Sequence, residues 1–491
     1  MADIFWDGFD KYGPLNCAPA NSSMGSEWTI LPASSGSWFV SWRFSGSLAL
    51  QLNYGYTTSR ALPGNYGRLI GGIAMQPTLS GNSGVQFADG STNQCSVGFN
   101  SQGKLILTQG GLSGTQIAAS NSAITANSWH YVEWDLTIAA SGAYAVWLDG
   151  VQVFTGTGNL KSSANSYANT VVLYGNSCNF DDMYMFDNTG AVNNAVRGDS
   201  RVETLFPTGD AAVAFTPVQG AIGAYYNLNS NSYSMSGNQL VLRRYAPTVA
   251  GTLVSIGVMP QTTSGGANFK PAVYADNNGT PGTLLSSGSQ VTGPTAGTAL
   301  TLTLATPQTL TVGSAIWLGY TTDTALSMQR QDNSSYSTNA GYTANVTYSS
   351  GVPSPAPSMT SGQPSIQIWG NVTNISSNYS EANLLPPGGD LSCVTSSTVG
   401  AEDRYSFGAL SSTPTSIAGV KVSALVRKTD SGSRTVSVQL KSGSTEVSGT
   451  AQAPGVSYTY QALYQDTDPS TSTAWIASGV NSLTAGAKVA S

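Results

Sequence analysis

Two carboxylates, Glu133 and Asp135, stand two residues apart in the run Trp129-His130-Tyr131-Val132-Glu133-Trp134-Asp135-Leu136-Thr137-Ile138. If the run is a strand, alternate side chains share a face, which puts the two acids on one side with Cα atoms ~6.5 Å apart. Acids that close repel and shift each other's proton affinity, the arrangement that general acid and base chemistry uses. Glycoside hydrolysis needs a second carboxylate with its own role, yet the next position on offer is Ile138, preceded by Thr137. The pair alone cannot divide that labour, and no catalytic residue is assigned.

His130 is the only histidine. Any Ser-His-Asp or Cys-His site must use it, and a three-histidine zinc site is excluded by counting. It falls on the apolar face with Val132, Trp134, Leu136 and Ile138, where a packed histidine is expected. Cys17, Cys95, Cys178 and Cys393 lack the paired spacing of a zinc site and are too scattered for a disulfide framework, so they are read as free thiols. A bond between Cys17 and Cys178 stays open. Asp276-Asn277-Asn278-Gly279-Thr280-Pro281-Gly282 is an oxygen-rich turn without the closing acid of an EF-hand loop.

The elements that position these residues are strands. After the first run comes Tyr144-Ala145-Val146-Trp147-Leu148-Asp149-Gly150-Val151-Gln152-Val153-Phe154, in which Asp149-Gly150 between apolar segments is a strong hairpin signal. The phrase Trp-His-Tyr-Val-Glu followed by Leu-Asp-Gly-Val-Gln-Val-Phe resembles the middle of a concanavalin A-like (laminin G-like) jelly roll. Val97 to Leu107, with its Gly103 turn, resembles a strand-turn-strand unit of the same fold. Asn179-Phe180-Asp181-Asp182-Met183-Tyr184-Met185-Phe186 resembles its last strand, expected to return beside an opening strand at Ile4 to Phe9.

The resemblance implies fold before function. It makes Asp181 and Asp182 the candidates for a bound calcium, although one pair does not supply the six to eight oxygens that calcium takes; no cofactor is otherwise expected. It also implies a possible sugar site. Tyr54, Tyr56 and Tyr66, in a Gly/Asn/Ser/Thr-rich loop region, are the candidate stacking faces. Glu133 is a routine feature of non-enzymatic members, so the chain is expected not to be an enzyme.

Only 9% of the residues are charged against ~25% in an average soluble protein, with a net charge of −6. No basic stripe exists to meet phosphates, so no nucleic-acid partner is expected. No apolar run approaches the ~18 residues of a membrane span, and the acidic opening lacks the form of a signal peptide, so synthesis in the cytoplasm without membrane insertion is expected.

Length and turn spacing predict an all-β chain of three tandem β-sandwich domains: residues 1–195, the concanavalin A-like jelly roll; 196–375; and 376–491, with a short helix around Trp475 to Leu483 and a possible docking or assembly role. Thr429 to Gly432 is read as a hairpin turn within the third. The closing Asp468-Pro469-Ser470-Thr471-Ser472-Thr473-Ala474-Trp475 and the opening Phe5-Trp6-Asp7-Gly8-Phe9-Asp10-Lys11-Tyr12 resemble tailed-bacteriophage virion proteins. That resemblance implies a virion structural protein assembled in the host cytoplasm: a head or tail appendage, fibre, collar or decoration protein, oligomeric and bound to other virion proteins. Binding of a host-surface glycan by the first domain is the alternative, and polysaccharide hydrolysis a remote one.

Overall fold

Period-two alternation in the first two hundred residues does produce a sandwich. The computed structural model describes residues 3–13, 23–30, 37–41, 43–44, 47–223, 232–247, 250–261, 266–293, 298–329, 341–363, 366–373, 375, 377–383, 387, 392–430 and 432–491. The expectations on Cys17, including its bond to Cys178, and on Ser431 lie outside them. By internal packing the chain divides into two units, 1–206 together with 407–491, and 207–406. Residues 1–195 thus fall inside the first unit, whereas 376–406 go with the second and 407–491 with the first.

In the first unit the strands are, in chain order, β1 (Asp3–Asp7), β2 (Thr29–Ile30), β3 (Ser37–Ser41), β4 (Leu48–Leu52), β5 (Tyr56–Tyr66), β6 (Arg68–Pro77), β7 (Ser83–Asp89), β8 (Thr92–Phe99), β9 (Lys104–Gln109), β10 (Thr115–Ala123), β11 (His130–Thr137), β12 (Gly142–Leu148), β13 (Val151–Gly158), β14 (Ala168–Gly175) and β15 (Cys178–Phe186). One antiparallel sheet runs β13-β12-β11-β6-β15-β4-β3 with β1 beside β15, and the other runs β10-β9-β8-β7-β14-β5-β2. The last strand returns beside the first, Phe5 opposite Met185, as expected. Asp149 and Gly150 take φ of 51° and 79°, so the predicted hairpin closes with Leu148 opposite Val151.

Between the sheets, Trp134 of β11 meets Phe87 of β7 at 5.3 Å between ring centres. Room for these rings comes from β6. A Cβ on Gly71 would stand 2.6 Å from the Trp134 ring, and one on Gly72 would stand 2.7 Å from Tyr184 and 2.8 Å from Tyr131. Two consecutive glycines let aromatic rings lie flat on both faces of one strand.

The other face of β11 departs from simple alternation. Tyr131 and Glu133 are buried as completely as Val132 and Trp134. The cause lies downstream: residues 197–202 cross this face, and the N–H groups of Arg197 and Gly198 donate to Glu133 Oε1 at 2.9 and 2.7 Å.

Residues 407–491 add two small sheets to this unit. Val420–Val426 pairs with Thr459–Gln465, and Val436–Ser442 pairs with Thr445–Ser448 and Thr484–Val489. The strands flanking Thr429 to Gly432 therefore do not form the expected hairpin. Their apolar residues are instead shared in one cluster, Val422 and Leu463 with Val438, Leu440 and Trp475. A short helix, Ala477–Ser482, stands where the Trp475 to Leu483 spacing predicts one. Lys11, Arg60 and Lys421 surround Glu27, at 2.5, 3.3 and 3.8 Å, and Tyr464 stands edge-on to Trp6. Burial would raise the Glu27 carboxyl, but the charges of Lys421, Lys11 and Arg60 outweigh it and hold the group well below the ordinary range.

In the second unit, a sheet in the order 300–310, 251–258, 368–373, 216–223, 393–395 faces one in the order 280–287, 268–277, 316–322, 239–245, 341–345, 360–363. Leu253, Ile256, Leu318 and Tyr320 lie in the core between them. The Pro-rich stretch near 350–358 lies over Trp317, Tyr274 and Leu242, tied by the Tyr274 hydroxyl donating to Pro353 O at 2.6 Å. Among the described residues no helix is long and apolar enough to cross a membrane.

Glu27→Gln leaves three cations facing one uncharged amide in a buried setting. It is expected to cost about 3 kcal/mol of stability, read as a lowered urea midpoint for the first unit.

Candidate functional site

The outward side of the β5/β14 pair carries no formal charge. On β14, Val171 and Leu173 are fully buried, which turns Thr170, Val172 and Tyr174 outward and half-exposed. Their partners across the ladder are Ala61, Ser59 and Thr57 of β5. On the other flank Val172 pairs with Gln86, whose Oε1 accepts a hydrogen bond from Asn93 Nδ2 at 2.8 Å. Beyond Gln86 the sheet is roofed by the turn after β9. Ser96 Oγ donates to Gly110 O at 2.6 Å, Thr108 Oγ1 to Gly111 O at 2.9 Å, and Asn82 Nδ2 to Leu112 O at 3.0 Å. Among the described residues, what stays open is a strip of hydroxyl, methyl and ring groups two strands wide.

The three tyrosines proposed from sequence do not form one cluster. Tyr54, 79% exposed with φ of 53°, tips the turn that starts β5. Tyr56 pairs with Gly175, and Tyr66 pairs with Ala168. These partners are seven residues apart on β14, roughly 23 Å at the rise of a strand. Tyr54 and Tyr56 therefore mark one end of the strip and Tyr66 the other. Sequence reasoning missed Tyr174, whose hydroxyl lies 3.1 Å from where a Gly55 Cβ would be, beside Tyr54. The signal was the alternation of Thr170, Val172 and Tyr174 between buried valine and leucine.

Neither acid of the Glu133/Asp135 pair is free. Glu133 Oε1 accepts from Tyr184 Oη at 2.6 Å in addition to the two backbone N–H groups. Asp135 receives both arms of the Arg68 guanidinium, at 2.8 and 2.7 Å. His130 Nδ1 lies 2.8 Å from Asp149 Oδ2, and its ring packs 6.1 Å from Phe99. Asp149 Oδ1 also accepts the Tyr131 N–H, so this histidine braces a hairpin.

Asp181 and Asp182 lie in a bulge of β15, with Asp182 at φ of 50°. Asp182 Oδ1 accepts the Val202 N–H at 2.8 Å and its Oδ2 accepts Arg43 Nη1 at 3.0 Å. Asp10 accepts the Leu48 N–H at 2.5 Å. The implied calcium does not fit this arrangement, because both oxygens of Asp182 and Oδ1 of Asp181 are taken by N–H donors and a guanidinium already brings the positive charge. Among the described residues no group of three or more His, Cys, Asp or Glu side chains is placed to hold a metal ion. Cys95 and Cys178 are buried, and burial pushes both thiols up, which leaves them inert at neutral pH.

No family model matches the chain, and no curated protein does. Among solved structures, it is similar to cellulose induced protein Cip1, at 14% identity over 32% of this chain and 90% of that one, with a TM-score of 0.25. It is also similar to domain 4 of AbnA, a GH43 extracellular arabinanase from Geobacillus stearothermophilus solved with arabinotriose, at 15% identity over 36% and 93% with a TM-score of 0.25. A third is carbohydrate binding module CBM66 from Bacillus subtilis, at 9% identity over 33% and 96%, again with a TM-score of 0.25.

Burial pushes Asp10 up to about 7, with the nearby Asp182 and Asp7 charges adding to it. Burial likewise lifts Asp182 to about 6, against the Val202 N–H and Arg43. A carboxyl whose proton affinity rises on folding stabilises the fold most below its unfolded value, near 4, and that contribution is lost as pH climbs through the folded value. The first unit is therefore expected to melt higher at about pH 5 than at about pH 8, and Asp10→Asn to flatten the difference, as scanning calorimetry across that range will show.

Proposed function

We propose that this chain is a non-catalytic binding and display protein whose jelly roll holds a neutral glycan along the β5/β14 strip. The observation that carries this reading is the strip itself: Thr57, Ser59, Ala61, Thr170, Val172 and Tyr174 line one open face without a formal charge. Sugars are bound by hydroxyl partners of that kind with an aromatic ring for the apolar face of a pyranose. The nearest cation on β5, Arg60, points the other way, into the sandwich toward Asp7 and Glu27. An acidic polysaccharide would find no partner on the strip.

Glycan-array binding of the full chain tests this reading. Tyr174→Ala is expected to weaken the best neutral hit about tenfold, and Tyr54→Asn, which keeps the left-handed turn while removing the ring, to weaken it less. Equal binding by wild type and Tyr174→Ala, with both folded, would remove the strip from consideration.

A second reading, a structural protein of a bacteriophage virion, is favoured by the way the two end stretches fold. Both stretches that resemble virion proteins lie in one unit, and strands preceding the closing stretch reach the opening one, with Lys421 Nζ donating to Trp6 O at 3.1 Å and Tyr460 Oη to Lys11 O at 3.4 Å. On this reading that unit is the point of attachment to a particle, with other virion proteins as partners and further copies of the chain beside it. Labelling this chain in purified particles is expected to place it on the head or tail; its absence from washed particles would end this reading.

A further inference from the structure

The outer face of the sheet that contains β4, β15 and β6 carries a row of side-chain amides. Gln51 stands opposite Asn179, and Asn179 opposite Gln76, so the three lie side by side across three strands. Their neighbours along each strand, Leu52, Phe180 and Met75, are buried in the sandwich, which turns the amides outward and leaves them half-exposed. Hydrogen bonds fix the row: Asn53 Nδ2 donates to Gln51 Oε1 at 3.4 Å, Asn179 Nδ2 to Gln76 Oε1 at 2.7 Å, and Gln76 Nε2 to Asn127 O at 3.0 Å. An indole ends it. The Asn127 N–H donates to Pro77 O at 2.9 Å and His130 stands opposite Met75, which brings Trp129 alongside Gln76. Trp129 is half-buried and packs against the cluster that holds Tyr131 and Ala74, on the face that Gln76 shares.

We propose that this row is a second sugar site, on the sheet opposite the β5/β14 strip, and that it takes an uncharged pyranose whose apolar face meets the Trp129 ring. The amides select the ligand. Among the described residues Gln51 Nε2 and Asn179 Oδ1 have no hydrogen-bond partner, so the row offers donors and acceptors together. A sugar hydroxyl likewise donates and accepts. An anion would use only the donors and a cation only the acceptors, and the row contains no ionisable group to neutralise either. Because the Gln76 and Asn179 amides are already held in place by their bonds to Asn127 O and to each other, binding orders few side chains. The site uses none of the strip residues and stands whether or not the strip binds.

The experiment follows the indole N–H resonance of Trp129, assigned with Trp129→Phe, in the isotopically labelled full chain during titration with cellotetraose and maltotetraose as neutral probes and tetragalacturonate as the acidic one. At least one neutral probe is expected to shift this resonance at millimolar concentration and to do so equally in Tyr174→Ala. Asn179→Ala is expected to weaken that binding about tenfold, with Gln76→Ala in its place if Asn179→Ala does not fold. The acidic probe is expected to leave the resonance where it is. No shift with either neutral probe, a shift that the amide variants leave at full affinity, or an equal shift with tetragalacturonate would each overturn the proposal. Loss of the shift in Tyr174→Ala would overturn it too while leaving the strip reading intact, whereas an unchanged shift together with unchanged array binding in Tyr174→Ala would remove the strip alone.

Discussion

Carboxylates that accept main-chain N–H groups hold this protein in shape. Where a sheet ladder ends and a connection crosses a face, the backbone loses its partners and needs another acceptor. Here the sparse acids supply it. Glu133 takes Arg197 and Gly198, and Asp182 takes Val202. In the second unit Asp403 takes Ala214 and Phe215, each at 2.7 Å, and Asp210 takes Asn378 and Tyr379. Burying an ionised carboxylate is costly, but two or three charge-assisted bonds per group offset the cost and fix a segment in one position. With so few charges in the chain, many of them serve architecture, which is why carboxylate chemistry is hard to find.

That use explains what could be read from the sequence and what could not. Strands and tight turns follow from local rules: Asp149-Gly150 and Asn278-Gly279 adopt left-handed turns because those residue types tolerate positive φ. The return of β15 beside β1 followed from the resemblance. The burial of Tyr131 and Glu133 did not, because it depends on residues 197–202, more than sixty positions along the chain. Alternation says that two faces differ, but it says nothing about what later covers either one. The partners of Val420–Val426 and Val436–Ser442 were hidden for the same reason, since each strand pairs with a segment far along the chain. Tyr54, Tyr56 and Tyr66 looked like neighbours because a strand of eleven residues was read as a loop.

Low charge leaves another problem, the open edges of sheets. Lysines and prolines usually blunt such edges, and β10 and β13 contain neither. Both carry breaks in register instead, β10 after Gln116 and again after Ala119, β13 opposite Val146 and Trp147. An extra residue twists the strand and interrupts the row of free N–H and C=O groups, which prevents a second chain from adding on. These two edges are therefore guarded by backbone geometry where most proteins use charge.

The same economy bears on how a glycan would be held. Strip residues sit on strands whose opposite faces, Val171 and Leu173, are locked in the core, so the site is preformed and binding costs little ordering. It also offers no ion pair and few rings, and contacts of that kind give weak affinity for one sugar chain, on the order of millimolar. Weak, preformed and neutral sites become effective when many copies face one surface, because effective concentration then replaces single-site affinity. A particle studded with copies of this chain would supply that arrangement, so the two proposed readings would be one mechanism at two scales, with the fold presenting the strip and assembly multiplying it.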